Sequence, residues 1–305
     1  MAGPTNGKNP PGNELHFGIL TQQEWRSWDE MQEQWQWAEE TGWDSAWAYD
    51  HFFSLQQGEM GPCLDGWTLL AGLLARTRRL QAGLMVTGLT HRYPAVLFKQ
   101  AVTVDVISGG RLILGIGAAW NEREHRAYGI PFPPDGERVD RFGEAMAMLR
   151  LLETEERTTF HGDHYQLEEA PFEPKPVFGH IPLLIGSTGR RMLRHVARYA
   201  DQWDGEGSPE EYARHSRRLD DACREIGRDP AEIRRVLSTR IEDVASTEDE
   251  FRRWAAGYTA IGVRTFIIHV SRGGPSPALR AIAERVMPDL RAEFAAREPS
   301  GTRVD

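Results

Sequence analysis

A short stretch in the middle of the chain offers the first chemistry. Gly186-Ser187-Thr188-Gly189 follows the apolar run from Ile181 to Ile185 and leads straight into a segment opened by Arg190. Two glycines give a turn free to take positive φ, and two hydroxyls lie between them. In the segment that follows, Met192, Leu193, Val196, Ala197 and Ala200 fall on one helical face, while Arg190, Arg194 and Arg198 recur every fourth residue on another. Bare N–H groups at a helix start, the dipole behind them and a cation at Arg190 or Arg191 together suit an anionic group such as phosphate. The spacing matches neither the Rossmann nor the P-loop fingerprint, so an ordinary turn with solvated arginines is the plainer reading.

The second candidate is Asp50-His51, delivered to the end of an apolar run. An imidazole ordinarily titrates near physiological pH, and a neighbouring carboxylate can orient the ring, so His51 is the candidate proton donor or acceptor and Asp50 its partner. A structural hydrogen bond is the alternative. The run His161-Gly162-Asp163-His164 has metal-ligand residue types but reads as a solvated hairpin tip, and no metal site is expected. No Gly-x-Ser-x-Gly elbow and no assignable carboxylate pair is present, which leaves chemistry carried by a cofactor.

The elements that must position these residues repeat a single beat. Strands are expected at 16–20, 45–49, 80–86, 111–116, 181–185, around 203, at 234–244 and at 263–270, each followed by a helical pattern. Residues 158–179 interrupt the rhythm as an inserted hairpin and loop. Gly42 and Ser108-Gly109-Gly110 stop two helices, Pro94 opens one, and Ser208-Pro209-Glu210-Glu211 opens another. Eight strands alternating with helices predict a single-domain (β/α)8 TIM barrel over 14–297, with an open doubly wound sheet as the alternative. The residues after each strand would then share one rim: Asp50-His51, 87–92, 117–122, 186–190, 204–206 and 269–272. Residues 1–13 and 298–305 are expected to be disordered tails.

Composition narrows the partners. Across 305 residues, 45 acidic and 36 basic side chains give a net charge of −9, and no basic cluster speaks for nucleic acid. No apolar run is long enough for a membrane span or a signal peptide, and two cysteines, Cys63 and Cys223, make no disulfide framework, so a cytoplasmic location is expected.

The stretches GWDSAWAYDHF at 42–52, VTGLTHRYPAVLFKQAVTVDVISGGRLILGIGAAWNEREHRAYG at 86–129 and IGSTGRRMLRHVARYADQWDG at 185–205 are similar to the luciferase-like flavin and deazaflavin oxidoreductases, more particularly the coenzyme F420 branch. The resemblance covers nearly the whole chain. It implies a (β/α)8 barrel with an insertion, and it assigns the cofactor phosphate to Gly186, Ser187, Thr188, Gly189 and Arg190. The same resemblance assigns the ring system to Asp50, His51, Thr87, Gly88, Thr90, Gly117, Ala118 and Asn121, with a non-prolyl cis peptide at Thr87–Gly88. Two departures stand out. Many relatives have a glycine pair followed by Glu-Lys in the phosphate turn, where this chain has Ser187-Thr188 and Arg190-Arg191. The F420-dependent sugar-phosphate dehydrogenases place a catalytic Glu where this chain has Ala118, so that substrate is not expected.

The function this implies is hydride transfer between F420 and a small organic substrate, with His51 handling the proton and Arg190, Arg191 and Arg194 available to the anionic tail. An FMN-dependent monooxygenase, a non-catalytic flavin-binding relative and a metal-dependent barrel lyase are the alternatives. Relatives often form dimers, and tryptophans would suit such an interface, so a homodimer is the partner to test.

Overall fold

The computed structural model describes residues 14–55, 60–240 and 247–297. Both expected tails and the end of the expected strand at 234–244 lie outside the described residues. In chain order the elements are β1 (His16–Thr21), α1 (Trp28–Glu40), β2 (Ser45–Ala48), α2 (Gly66–Arg76), β3 (Gln81–Leu84), β4 (Thr87–Gly88), α3 (Pro94–Ser108), β5 (Leu114–Gly117), α4 (Glu122–Tyr128), α5 (Asp135–Thr154), β6 (Arg157–His161) and β7 (Gln166–Pro171). They continue with β8 (Leu183–Gly186), α6 (Arg190–Tyr199), β9 (Gln202–Gly205), α7 (Pro209–Glu225), β10 (Arg234–Arg240), α8 (Glu248–Ala260), β11 (Thr265–Val270), α9 (Pro277–Ala281) and α10 (Met287–Arg297).

Nine parallel strands follow the order β3-β2-β1-β11-β10-β9-β8-β5-β4, and the two ends of that order belong to one stretch of chain. β3 pairs with β2, while β4 pairs with β5 through Thr87↔Ile116 and Gly88↔Gly117. Ala82 also bonds across the gap, its N–H donating to the Arg111 carbonyl at 3.0 Å and its carbonyl accepting from the Ile113 N–H at 2.8 Å. The sheet therefore closes as a (β/α)8 barrel whose third stave is β3 and β4 together. The single strand expected over 80–86 is corrected: the stave breaks at 85–86. The non-prolyl cis peptide is Met85–Val86, two residues before the expected Thr87–Gly88, because Thr87 and Gly88 are already held in the ladder to β5.

Side chains alternate about the staves. Leu20, Trp47, Ile113, Leu184, Val236 and Ile267 fill the barrel interior, with Met85 and Val86 packed over them. Phe17, Trp35, Trp43, Phe98, Phe142 and Phe266 belong to the larger layer between strands and helices. Most of the buried aromatic bulk is thus core rather than interface, and Trp28 and Trp120 are the clearly exposed tryptophans among the described residues.

The inserted stretch contains the antiparallel hairpin β6–β7. Its tip is tied down more than the sequence suggested, since the Glu144 carboxylate on α5 accepts from the N–H groups of Asp163, His164 and Tyr165 at 2.9, 3.0 and 3.2 Å. Among the described residues no group of three His, Cys, Asp or Glu is arranged to hold a metal ion, and no helix is long and apolar enough to cross a membrane.

Candidate active site

The strand C-termini open into a cavity of about 590 Å³, inside the range of about 300–1,000 Å³ usual for small-molecule sites. All six rim segments expected from the sequence reach it: Asp50 and His51; Gly88 and His91; Gly117 through Asn121; Gly186 through Gly189; Asp204 and Glu206; and His269. Met85 and Val86 also line the cavity, and Ser238 joins from β10.

One wall carries a network of buried charge. The His51 Nδ1 lies 2.8 Å from Glu124 Oε2, and the Phe52 N–H donates to the other oxygen of Glu124 at 2.5 Å. Burial alone would raise the Glu124 carboxyl, but the bonds from His51 and Phe52 outweigh it and hold the group below the usual carboxylate range. An ionised Glu124 can only accept, so the His51 Nδ1–H donates to it, and in the neutral ring Nε2 is then the bare nitrogen. Tyr49 and Trp120 flank the ring edge-on, at 5.0 and 5.8 Å between centroids. Trp120 itself is 68 % exposed, and the residue before it, Ala119, has φ of 67°.

The expected pairing of Asp50 with His51 is corrected. Asp50 is held by Arg92, whose two terminal nitrogens donate at 2.6 and 3.0 Å, and His91 Nδ1 stands 3.3 Å away. Burial pushes the Asp50 carboxyl up, and His91 and Arg92 more than reverse this. The oxygens of Asp50 are thus committed to residues 41 and 42 positions along the chain. Glu124 had no signal of its own in the sequence. Its place on α4, capped by Asn121 accepting from the Glu124 N–H at 3.2 Å, is what aims it at His51.

Not every expected site residue faces the cavity. Thr87 is fully buried and accepts from Trp67 Nε1 at 3.1 Å, and Thr90 pairs with His125 Nε2 at 2.6 Å while His125 Nδ1 is 2.7 Å from the Asn121 carbonyl. Both therefore brace the rim from behind. Arg190 stands exposed at the first position of α6, outside the lining, and Arg191 is drawn away to Asp140 and the Gly136 carbonyl.

The turn 186–189 reaches the cavity in another form from that expected. Neither Gly186 nor Gly189 has positive φ, and Gly189 is extended at φ −66°, ψ 134°. A methyl group added at Gly186 or Gly189 would meet nothing closer than 3.8 Å, so protein packing does not require glycine there. The N-termini of α1, α2, α7 and α8 are capped by Ser27, Asp65, Ser208 and Thr247, whereas α6, like α3 and α5, has no side-chain cap. Ser187, Thr188 and Gly189 thus place an uncapped helix start beside the cavity. One charge opposes an anion there: Glu206 accepts from the Thr188 hydroxyl at 3.2 Å.

On the opposite wall both oxygens of Asp204 accept from Ser238, from the N–H at 3.1 Å and from the hydroxyl at 3.0 Å. Burial drives the Asp204 carboxyl up, the Ser238 bonds lower it and Glu206 raises it, for a value of about 7.

A family model described as luciferase-like monooxygenase matches residues 13–304. A curated relative from Kineococcus radiotolerans, named F420-dependent glucose-6-phosphate dehydrogenase, is 33 % identical over 231 residues, which is 72 % of this chain and 66 % of the relative. The chain spans between about half and about two thirds of the length of the curated relatives it matches. Among solved structures, an F420-dependent secondary alcohol dehydrogenase with an F420-acetone adduct superposes with a TM-score of 0.78 at 18 % identity, covering 90 % of this chain and 98 % of that one. A monooxygenase from Streptomyces bottropensis superposes with a TM-score of 0.77 at 20 % identity, covering 90 % of this chain and 100 % of that one.

Proposed function

Because the chain belongs to the luciferase-like monooxygenase family, we propose that it is an F420-dependent oxidoreductase that transfers hydride between the deazaflavin and a small organic substrate. The observation that carries this reading is that a carboxylate-oriented histidine and an uncapped helix start open onto one cavity. The F420-dependent name of a relative at 33 % identity supports the deazaflavin over FMN.

The residues present fit the cofactor. Ser187, Thr188 and the backbone of Gly189 would hold its phosphate, with room left on the two glycines and Arg190 just outside for its anionic tail. Thr188 would turn its hydroxyl from Glu206 to do so. Asp50, His51, Gly88, Gly117, Ala118 and Asn121 would face the ring, with Thr87 and Thr90 supporting from behind. When bound, F420 supplies a carbon that takes or gives a hydride. The protein manages the proton: Glu124 fixes the His51 ring with Nδ1–H engaged, and Nε2 accepts the hydroxyl proton of an alcohol under oxidation or returns one to a carbonyl under reduction.

Titration of purified apoprotein with F420 and with FMN by fluorescence tests the reading. F420 is expected to bind at low micromolar Kd or tighter, about −7 to −8 kcal/mol. Tight FMN binding without F420 binding, with oxygen consumed by the reduced complex, would replace this reading with the monooxygenase. Binding without turnover of any acceptor would leave a non-catalytic flavin-binding protein. The homodimer is proposed on the resemblance alone and is checked by light scattering.

A further inference from the structure

With the ring assigned to the wall of β2, β4 and β5, the cavity surface left for a substrate comes from β9, β10 and β11. It offers Asp204, Glu206, Ser238 and His269. Asp50, Glu124, Asp204 and Glu206 all line this cavity, and among the described residues no lysine or arginine does. Asp50 is paired with the Arg92 guanidinium, and Glu124 is engaged by the His51 ring and the Phe52 N–H. Asp204 is held by the two Ser238 donors, which are neutral, and Glu206 by the Thr188 hydroxyl, neutral as well. The field on the substrate side is therefore negative wherever these two groups are ionised, in a site of low effective dielectric where charges are poorly screened.

We propose that Asp204, seconded by Glu206, determines substrate specificity in this cavity by admitting an uncharged hydroxyl or carbonyl compound and turning away one that carries a phosphate or carboxylate. That a substrate enters at all rests on the oxidoreductase reading, whereas the sign of the charge rests on the lining alone. The proposal separates this chain from a dehydrogenase of sugar phosphates on grounds independent of Ala118. Specificity of this kind comes as much from repelling the wrong ligand as from binding the right one. Asp204 also sets a pH signature, since it faces Ser238, Glu206, the Tyr212 ring of α7 and the open Gly186, and burial pushes its carboxyl up to about 7. Anion exclusion should be strongest at pH 8 and relax toward pH 6.

Two measurements test it, and they fail separately. On the F420-loaded protein, kcat/KM is compared for 2-butanol and 3-hydroxybutyrate, secondary alcohols of one carbon skeleton that differ in a carboxylate. The neutral alcohol is expected to be preferred by about tenfold or more, like-charge juxtaposition being the discriminating cost. Asp204→Asn should narrow the ratio, and Asp204→Asn with Glu206→Gln should bring it near parity. A preference for 3-hydroxybutyrate, or a ratio unmoved by both changes, overturns the proposal. The second measurement needs no cofactor. Trp120 is exposed and lines the same cavity, so its fluorescence, isolated by difference from Trp120→Phe, reports on quenching by iodide against neutral acrylamide. Iodide should quench it less than acrylamide at pH 8, and the double variant should remove the deficit. Equal quenching in the native protein would overturn the anion-excluding field even if F420 binds, whereas a deficit with no F420 binding would refute the F420 reading alone.

Discussion

The Glu124 carboxylate is the sharpest point at which to perturb the site. Glu124→Gln keeps an oxygen for the Phe52 N–H and nearly the same volume in a fully buried position, so the fold should persist. What is lost is the ionised acceptor 2.8 Å from His51 Nδ1. A hydrogen bond to a charged group contributes about 1.5–3 kcal/mol. If that contribution is realised in the transition state, at 1.36 kcal/mol per tenfold, kcat should fall about 10- to 160-fold. The loss arises because the amide can equally donate to the ring and stabilise the wrong tautomer, with the proton on Nε2. F420 affinity should stay within about twofold, since Glu124 acts through His51 rather than on the phosphate cradle. The assay is steady-state turnover across pH with kcat and KM separated, beside His51→Ala and the double variant. A merely structural Glu124 would lower the melting temperature and leave the shape of the kcat–pH profile alone. Near-normal kcat in Glu124→Gln, or a double variant far worse than either single one, would refute the oriented-histidine argument, because residues acting as a unit are not additive.

Three further outcomes follow from geometry. Arg92→Ala strands the buried Asp50 carboxylate and should lower unfolding free energy by about 3–5 kcal/mol, read by urea denaturation, with little loss meaning that His91 alone satisfies Asp50. Gly189→Ala places a methyl in open space but at the N-cap of α6, where the unfolded-state gain and the poorer cap oppose each other, so stability should move by less than about 1 kcal/mol while F420 weakens about tenfold through one displaced charge-assisted bond of about 1.5 kcal/mol; a near-constant melting temperature beside a weaker titration is the check. His180, between Glu153 and Asp201 at 3.1 and 3.0 Å, is desolvated but raised to about 9 by those carboxylates. Its folded value lies above its unfolded one, so its contribution is whole below about pH 6.5 and is lost as pH rises through about 9. The melting temperature should decline across that window in the native protein, and His180→Gln should flatten the decline.

Strand rhythm, helix stops and the rim convergence were legible because each is local: period-two apolar runs, Gly109 at a left-handed helix end, Ser208 and Glu211 in a reciprocal cap. The partner of His51 was not, because His51 meets Glu124 across 73 residues, and the sequence pointed instead to the near neighbour Asp50. The glycines of 186–189 were read for backbone freedom, yet what they provide is room. Periodicity also could not show the third stave breaking at 85–86, since Leu80 to Val86 is apolar throughout except at Gln81 and reads as one run.

That break bears on how such a protein changes over generations. Met85 and Val86 sit between two short strands, pack on the interior plug and form part of the cavity floor. Leu20 and Gly117 reach the same cavity as rungs of a ladder, paired with His269 and Gly88, and altering such a residue risks the closure of the sheet. At 85 and 86 the floor is partly uncoupled from the β5 ladder, so mutational drift there can deepen, tilt or fill the chamber while the staves keep their register. A combinatorial library confined to this pair should therefore yield a high fraction of folded members with divergent ligand preferences.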